Sequence, residues 1–162
     1  MRNIIIVQCT STGKNYVQDI INRKCNPIVL ELKAKNDSKE AMENLQKIRD
    51  GYKSLENFEL IYEQDTYEDT LEMVKQYDPL LIIPGTEEGV ILATKLSNDL
   101  NLLCNPIENL DAMTLKNEMQ KRLAENNLRY IKGQTVSTID EAIDFYEREG
   151  LNEVVIKPLY SA

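Results

Sequence analysis

Two short turns carry the residue types best suited to binding a small charged molecule. The turn QCTSTGKN follows an apolar run and contains Ser11, Thr12 and Gly13, which offer hydroxyl groups and unhindered backbone N–H groups. The turn PGTEEGV places Glu87 directly after another apolar run. Hydroxyl and N–H groups at a helix start suit an anion, and a carboxylate suits an amine. Both turns also fit a structural interpretation, as a helix cap in the first and as an acidic first helical turn in the second.

Two lysines stand in different sequence contexts. Lys157 follows the apolar run Val154–Ile156, which predicts a strand with a buried backbone. An ammonium group at the end of such a strand needs a partner or a charged ligand. Lys116 lies beside the apolar stripe of Leu115 and Met119, and this position alone is typical of an exposed helix lysine.

The residue inventory excludes several kinds of site. The 162-residue chain has no histidine, which excludes a Ser–His–Asp triad and a Cys–His pair. Cys9, Cys25 and Cys104 are far apart, so we predict buried free thiols and no metal site. The net charge of −8 argues against a nucleic-acid or anionic-membrane partner. The longest apolar run is too short for a membrane span, and the first residues lack a signal-peptide pattern, so we expect a cytoplasmic protein.

The elements that must position the two turns alternate between β-branched runs and amphipathic stretches, which predicts β-α-β units and a parallel sheet. The expected strands are Asn3–Gln8, Asn26–Leu32, Phe58–Glu63 and Pro79–Gly85, and the expected helices are Gly13–Lys24, Ser38–Tyr52, Thr66–Tyr77 and Glu87–Leu100. In such a sheet the turns after the first and fourth strands face one crevice. Residues 1–107 are therefore expected to form a Rossmann-like domain.

Residues 108–162 show a different order of predicted helices and strands. The expected order is a helix at Leu110–Asn126, a strand at Arg129–Val136, a helix at Thr138–Glu149 and a final strand at Asn152–Leu159. The spacing of Thr138 and Glu141 fits a capping box, while Asn127 and Gly150 fit left-handed helix ends. A unit of this size is too small to own a core, so we expect the opening of a second domain.

In their combined order these segments resemble the N-terminal part of ATP-grasp enzymes, especially the carboxylate–amine and amino-acid ligases. Ser11–Leu32 is similar to the family's first β-α-β unit, and Pro84–Pro106 is similar to the segment leading out of the pre-ATP-grasp domain. Leu115–Leu128 and Thr135–Ala162 resemble the first ATP-grasp subdomain. Asn101 and Asn127 stand where the family commonly has glycine.

The resemblance implies an α/β fold, with a Rossmann-like pre-ATP-grasp domain at 1–107 followed by an incomplete ATP-grasp subdomain at 108–162. It implies that the parent enzyme uses ATP and Mg²⁺ to phosphorylate a carboxylate, after which an amine attacks the acyl phosphate. The family's ATP-contacting cations fall on Lys116 and Lys157. The residues implied on the substrate side are Ser11, Thr12, Gly13 and Glu87.

The same resemblance implies that the chain ends where the family's glycine-rich loop begins. The loop, the adenine-binding hinge and the acidic Mg²⁺ ligands would then lie beyond Ala162, and we expect the fragment alone to be inactive. The expected partners are small-molecule carboxylate and amine substrates, and a homodimer is one expected assembly. Two alternatives stay open: a fragment of a biotin carboxylase or carbamoyl-phosphate-type ATP-grasp enzyme, and a non-catalytic Rossmann-like small-molecule-binding module.

Overall fold

Four β-branched runs in the first part of the chain form one parallel sheet. The computed structural model, which describes residues 1–34 and 38–159, places β1 at Asn3–Val7, β2 at Asn26–Glu31, β3 at Glu59–Tyr62 and β4 at Pro79–Pro84. Their spatial order is β3-β2-β1-β4, and every adjacent pair is parallel. The expected α/β fold with a parallel sheet is therefore confirmed.

Four helices follow the strands in alternation. They are α1 at Asn15–Asn22, α2 at Lys39–Tyr52, α3 at Tyr67–Lys75 and α4 at Val90–Asp99. Short 3-10 helices at Ser11–Lys14 and Glu87–Gly89 lead into α1 and α4. The two candidate turns of the sequence are therefore the starts of helical segments, as their hydroxyl and acidic residues indicate.

Both faces of the sheet are covered, because neighbouring residues of a strand point to opposite sides. Ile5 and Val7 of β1 pack in one core cluster with residues of α3 and α4. Ile4 and Ile6 pack in a second cluster with residues of α1 and with Tyr52 of α2. Strands that are buried on both faces read as continuous apolar runs, which is the pattern of β1.

The chain divides into two compact units, Met1–Ile107 and Glu108–Ala162, and the second is built from helices. It contains α5 at Leu110–Thr114, α6 at Lys116–Glu125 and α7 at Ile139–Arg148. The single helix expected at Leu110–Asn126 is interrupted at Leu115, which is extended with φ −108° and ψ 125°.

Helix ends of the second unit follow the expected local chemistry. Thr138 and Glu141 form both hydrogen bonds of a capping box before α7. Asn127 and Gly150 adopt left-handed φ values of 55° and 58°, as expected for residues that end a helix. Asn101, at the end of the first unit, has a φ of 54°, so asparagine adopts the conformation for which glycine is usually chosen.

The two strands expected in the second unit are wrong. Arg129–Val136 and Asn152–Leu159 contain no strand, and Val155 and Ile156 are 78% and 75% exposed. An extended segment becomes a strand only when a neighbouring strand pairs with its backbone, and a β-branched run does not reveal whether that neighbour exists. Lys157 is consequently exposed rather than at the end of a buried strand. The expected approach to a glycine-rich loop at 160–162 lies outside the described residues.

Candidate ligand-binding site

The topology creates a crevice where β1 and β4 end. From β1 the chain moves to β2 and β3 on one side, and then crosses to β4 on the other side of β1. In open parallel sheets, ligands bind at the carboxyl ends of the strands where the strand order reverses. The two segments at this point are the β1 loop, residues 8–14, and the β4 loop, residues 85–89.

The two loops touch through their backbones at glycine. A Cβ atom on Gly13 would lie 2.3 Å from the carbonyl oxygen of Gly85, a separation that no side chain tolerates. The N–H of Gly85 donates to the carbonyl of Val7 at 2.8 Å, which ties the β4 loop to β1. Gly89 of the β4 loop lies similarly close to β1, because a Cβ atom on Gly89 would be 2.4 Å from the same Val7 carbonyl oxygen. Backbone contact therefore fixes the spacing of the two loops.

The β1 loop starts with a left-handed residue held in place from two sides. Gln8 has a φ of 58°, which for a residue other than glycine costs on the order of 1–2 kcal/mol. Its N–H donates to the carbonyl of Leu30 at 2.8 Å, and its side-chain Oε1 accepts from the N–H of Leu32 at 3.1 Å. Sequence reasoning missed Gln8, because only the backbone geometry distinguishes it from any polar residue after a strand.

Cys9 supports the same loop as a neutral thiol. It is fully buried, and its Sγ donates to the carbonyl oxygen of Gly13 at 3.3 Å. Burial raises the pKa of the Cys9 thiol to about 11, and the charge of Lys14 offsets only part of this rise. A thiol with this pKa is not a nucleophile near neutral pH. The expectation of buried cysteines holds for Cys9, whereas Cys25 and Cys104 are half-buried.

The predicted substrate residues lie on these two loops. Thr12 is exposed and Gly13 is buried against the β4 loop, while Ser11 begins the 3-10 helix and its side chain is not described. Glu87 is exposed and opens the 3-10 helix of the β4 loop. The structure thus brings both predicted turns to one edge of the sheet. Their contact with a substrate stays a prediction.

Thr86 is a further polar residue of the β4 loop that sequence reasoning missed. Its hydroxyl oxygen is buried and has no hydrogen-bond partner among the residues that the structure describes. It stands at the N-cap position of the 3-10 helix, but its side chain does not accept a capping hydrogen bond. The residue order Thr-Glu-Glu after a strand was the available signal, since threonine often precedes a helix.

Lys116 and Lys157, the predicted ATP-binding residues, belong to the second unit. Lys116 is the first residue of α6, where the partial positive charge of a helix start favours an anion. Lys157 is exposed on the extended segment after α7. That these two lysines contact the phosphates of ATP stays a prediction.

Residues 1–34 and 38–159 contain neither a cluster of metal ligands nor a membrane-spanning helix. No group of three or more cysteine, aspartate or glutamate residues in these ranges could hold a metal ion. Within the same ranges no helix is long and apolar enough to cross a membrane.

The fold has relatives among solved structures. No family model and no curated protein matches the sequence. Among solved structures, an L-amino acid ligase from Bacillus licheniformis matches 99% of this chain and 38% of its own, with a TM-score of 0.63 and 14% identity. N5-carboxyaminoimidazole ribonucleotide synthetase from Thermus thermophilus matches 91% of this chain and 36% of its own, with a TM-score of 0.61 and 14% identity. Phosphoribosylglycinamide synthetase from Anaerococcus prevotii matches 91% of this chain and 34% of its own, with a TM-score of 0.56 and 15% identity.

These three enzymes are ATP-grasp ligases, and the chain has the fold of the N-terminal region of their chains. The resemblance seen in the sequence is thereby confirmed for the fold. The chain spans a little over a third of the length of the ligases that it matches. Identities of 14–15% show a shared fold and do not by themselves transfer an activity.

Proposed function

We propose that the chain is the N-terminal part of an ATP-dependent carboxylate–amine ligase that works through an acyl phosphate. The observation that carries this proposal is the structural match to the L-amino acid ligase, which extends over 99% of the chain and therefore includes both units. The matches to the two synthetases cover 91%. The crevice between the β1 and β4 loops supports the proposal, because one edge of the sheet carries groups that suit an anion and a carboxylate that suits a cation.

The roles that we propose for the residues of the crevice follow from the charges that they can bind. Backbone N–H groups and the hydroxyls of Ser11 and Thr12 stabilise a substrate carboxylate at a helix start. The exposed carboxylate of Glu87 binds the substrate ammonium group. Gly13 keeps the two loops at a fixed separation through its contact with Gly85. An amino acid carries both charged groups at once and fits this arrangement.

On the nucleotide side, we assign the ATP phosphates to Lys116 and Lys157. Lys116 starts α6, so its ammonium group and the N–H groups of the first turn act on an anion together. Lys157 is exposed, which leaves its ammonium group accessible to a phosphate. Bound ATP supplies the phosphoryl group, and Mg²⁺ neutralises its charge. The described residues contain no group of three or more candidate metal ligands, and we assign them no Mg²⁺ ligand.

A trapping assay on the full polypeptide encoded by the gene tests this function. The protein is incubated with ATP, Mg²⁺, a panel of amino acids and hydroxylamine, which attacks an acyl phosphate to give a hydroxamate and inorganic phosphate. We expect ADP release that depends on one class of amino acid, together with its hydroxamate. ADP release that depends on bicarbonate would favour the carboxylase alternative. No ADP release with any substrate would favour a binding module. Residues 1–162 alone are expected to release no ADP.

A substitution in the full polypeptide tests the assignment of Lys157. Lys157→Ala is expected to weaken ATP binding about ten- to a hundredfold, because a charge-assisted hydrogen bond is lost. Lys157→Arg should restore part of the affinity, since the planar guanidinium group replaces the charge but not the geometry. Lys75→Ala is the control, because Lys75 lies in the last turn of α3 and pairs with Glu72 at the surface. Equal ATP affinities of wild type and Lys157→Ala, measured by calorimetric titration, would contradict the assignment.

A further inference from the structure

Two buried oxygen atoms near the end of β2 have no hydrogen-bond partner among the described residues. Glu31 is the last residue of β2 and is 1% exposed, and its Oε2 atom has no hydrogen-bond partner within residues 1–34 and 38–159. Tyr52 is the last residue of α2 and is 5% exposed, and its hydroxyl also has no hydrogen-bond partner in the part of the chain that the structure describes. Buried polar atoms are almost always hydrogen-bonded in folded proteins, so each of these two oxygens requires an explanation.

The two oxygens belong to the same region between β2 and α2. Arg49 of α2 donates its Nε–H to Glu31 Oε1 at 3.0 Å. Tyr52 follows Arg49 by three residues and therefore lies on the same side of the helix, one turn further on. On the strand, Glu31 shares its face with Val29, and Val29 packs in the core cluster that contains Tyr52. The Tyr52 side chain is thus directed to the strand face that carries Glu31.

Electrostatics agrees with this placement. The pKa of the Tyr52 phenol is raised, first by burial and next by the negative charge of Glu31. A neighbouring carboxylate raises the pKa of a phenol because it disfavours a second negative charge. The backbone of Cys9 offsets a smaller part of the rise, although it does not reach hydrogen-bonding geometry with the hydroxyl. Tyr52 therefore stays a protonated hydroxyl that can donate a hydrogen bond.

The group that satisfies both oxygens must accept from a hydroxyl and donate to a carboxylate. It must be small, because both residues are more than nine-tenths buried. It must also be neutral, because Glu31 repels an anion and is already paired with the cation of Arg49. We propose that one buried water molecule bridges the Tyr52 hydroxyl and Glu31 Oε2. Water molecules that make two to four hydrogen bonds to buried polar groups are part of many protein interiors.

The bridge would fasten the last turn of α2 to the end of β2. Tyr52 also packs in one cluster with Cys9 of the β1 loop. The water would therefore support the wall of the crevice from behind, independently of which ligand the crevice binds.

A high-resolution crystal structure of the 162-residue chain tests the proposal directly. We expect one solvent peak within hydrogen-bonding distance of both oxygens. A direct bond between the two oxygens, two separate water molecules, or a site without density would each overturn it.

Two substitutions give an independent test. Tyr52→Phe keeps the ring and removes the hydroxyl, and we expect the bridging peak to be lost. Tyr16→Phe on α1, where the tyrosine is 43% exposed, is the control and should keep the peak. A peak that persists on Glu31 in Tyr52→Phe would show that the water does not depend on the bridge and would contradict the proposal. If Tyr52→Phe does not fold, the wild-type density decides alone.

Discussion

At the scale of single residues, the contact between Gly13 and Gly85 is the tightest constraint on the crevice. Gly13→Ala places a Cβ atom against the backbone carbonyl of Gly85, so the two loops must move apart. We expect a loss of about 1–3 kcal/mol in the free energy of unfolding, as is usual when atoms are forced into a packed region. Urea unfolding followed by circular dichroism measures this loss.

Gly51→Ala is the matched control for this prediction. Its Cβ would meet the end of the Lys14 side chain at 2.9 Å, and a flexible lysine can move away. Gly51 also lies inside α2, where alanine is preferred over glycine by up to about 1 kcal/mol. We expect Gly51→Ala to be neutral or stabilising. Equal destabilisation by the two substitutions would show that the contact of Gly13 with Gly85 does not constrain the loops more than an ordinary glycine contact does.

Arg49 and Glu31 provide a second test at this scale. Arg49→Met keeps most of the side-chain volume but leaves the buried Glu31 carboxylate without its cation. We expect a loss of about 2–3 kcal/mol, because an unpaired buried charge is costly and Arg49 is partly open to solvent. Lys53→Met in the exposed pair with Asp50 should leave the unfolding free energy almost unchanged. A similar small change in both variants would refute the importance of the buried pair.

The residue types of the candidate site could be predicted, but their contacts could not. Thr12, Gly13 and Glu87 follow strands, and a parallel sheet brings such positions to one edge. The contact of Gly13 with Gly85 and the left-handed conformation of Gln8 depend on how two loops distant in sequence pack. No local pattern encodes that packing.

At the scale of elements, the capping box of α7 offers a local test. Thr138→Ala removes the side-chain oxygen that accepts the N–H of Glu141, at a cost of about 1 kcal/mol. We expect the amides of the first turn of α7 to exchange about fivefold faster by NMR. Thr135→Ala, at an exposed position before the cap, is the control and should leave these rates unchanged. Unchanged rates in Thr138→Ala would mean that other contacts fix the helix start.

The sequence predicted the elements of the first unit well and the strands of the second unit wrongly. The expected strand Asn3–Gln8 is observed at Asn3–Val7, because an unbroken apolar run buried on both faces leaves one interpretation. The run Val154–Ile156 before Lys157 is also β-branched, yet its residues are exposed. Strand formation needs a paired neighbour as well as suitable residues, and composition reports only the second condition.

At the scale of the whole molecule, burial differs sharply between the two units. All buried residues that the structure describes lie in the first unit, and none lies between residues 108 and 159. We expect the amides of the first unit to show high protection from hydrogen exchange and those of the second unit to exchange fast, because local stability follows buried contacts. A chain shortened to residues 1–107 should unfold cooperatively with the midpoint of the full chain. Equal protection in both units would contradict this prediction.

The contact of Gly13 with Gly85 also bears on how substitutions would change the ligand that the crevice prefers. A contact between main-chain atoms, which needs glycine at both positions, holds the two loops together. We expect exposed side chains of the loops, such as Thr12 and Glu87, to be exchangeable while this contact stays in place. For the ligand proposed for this crevice, we therefore expect preference to change by point substitution, without insertions or loop remodelling, as long as the two glycines are retained.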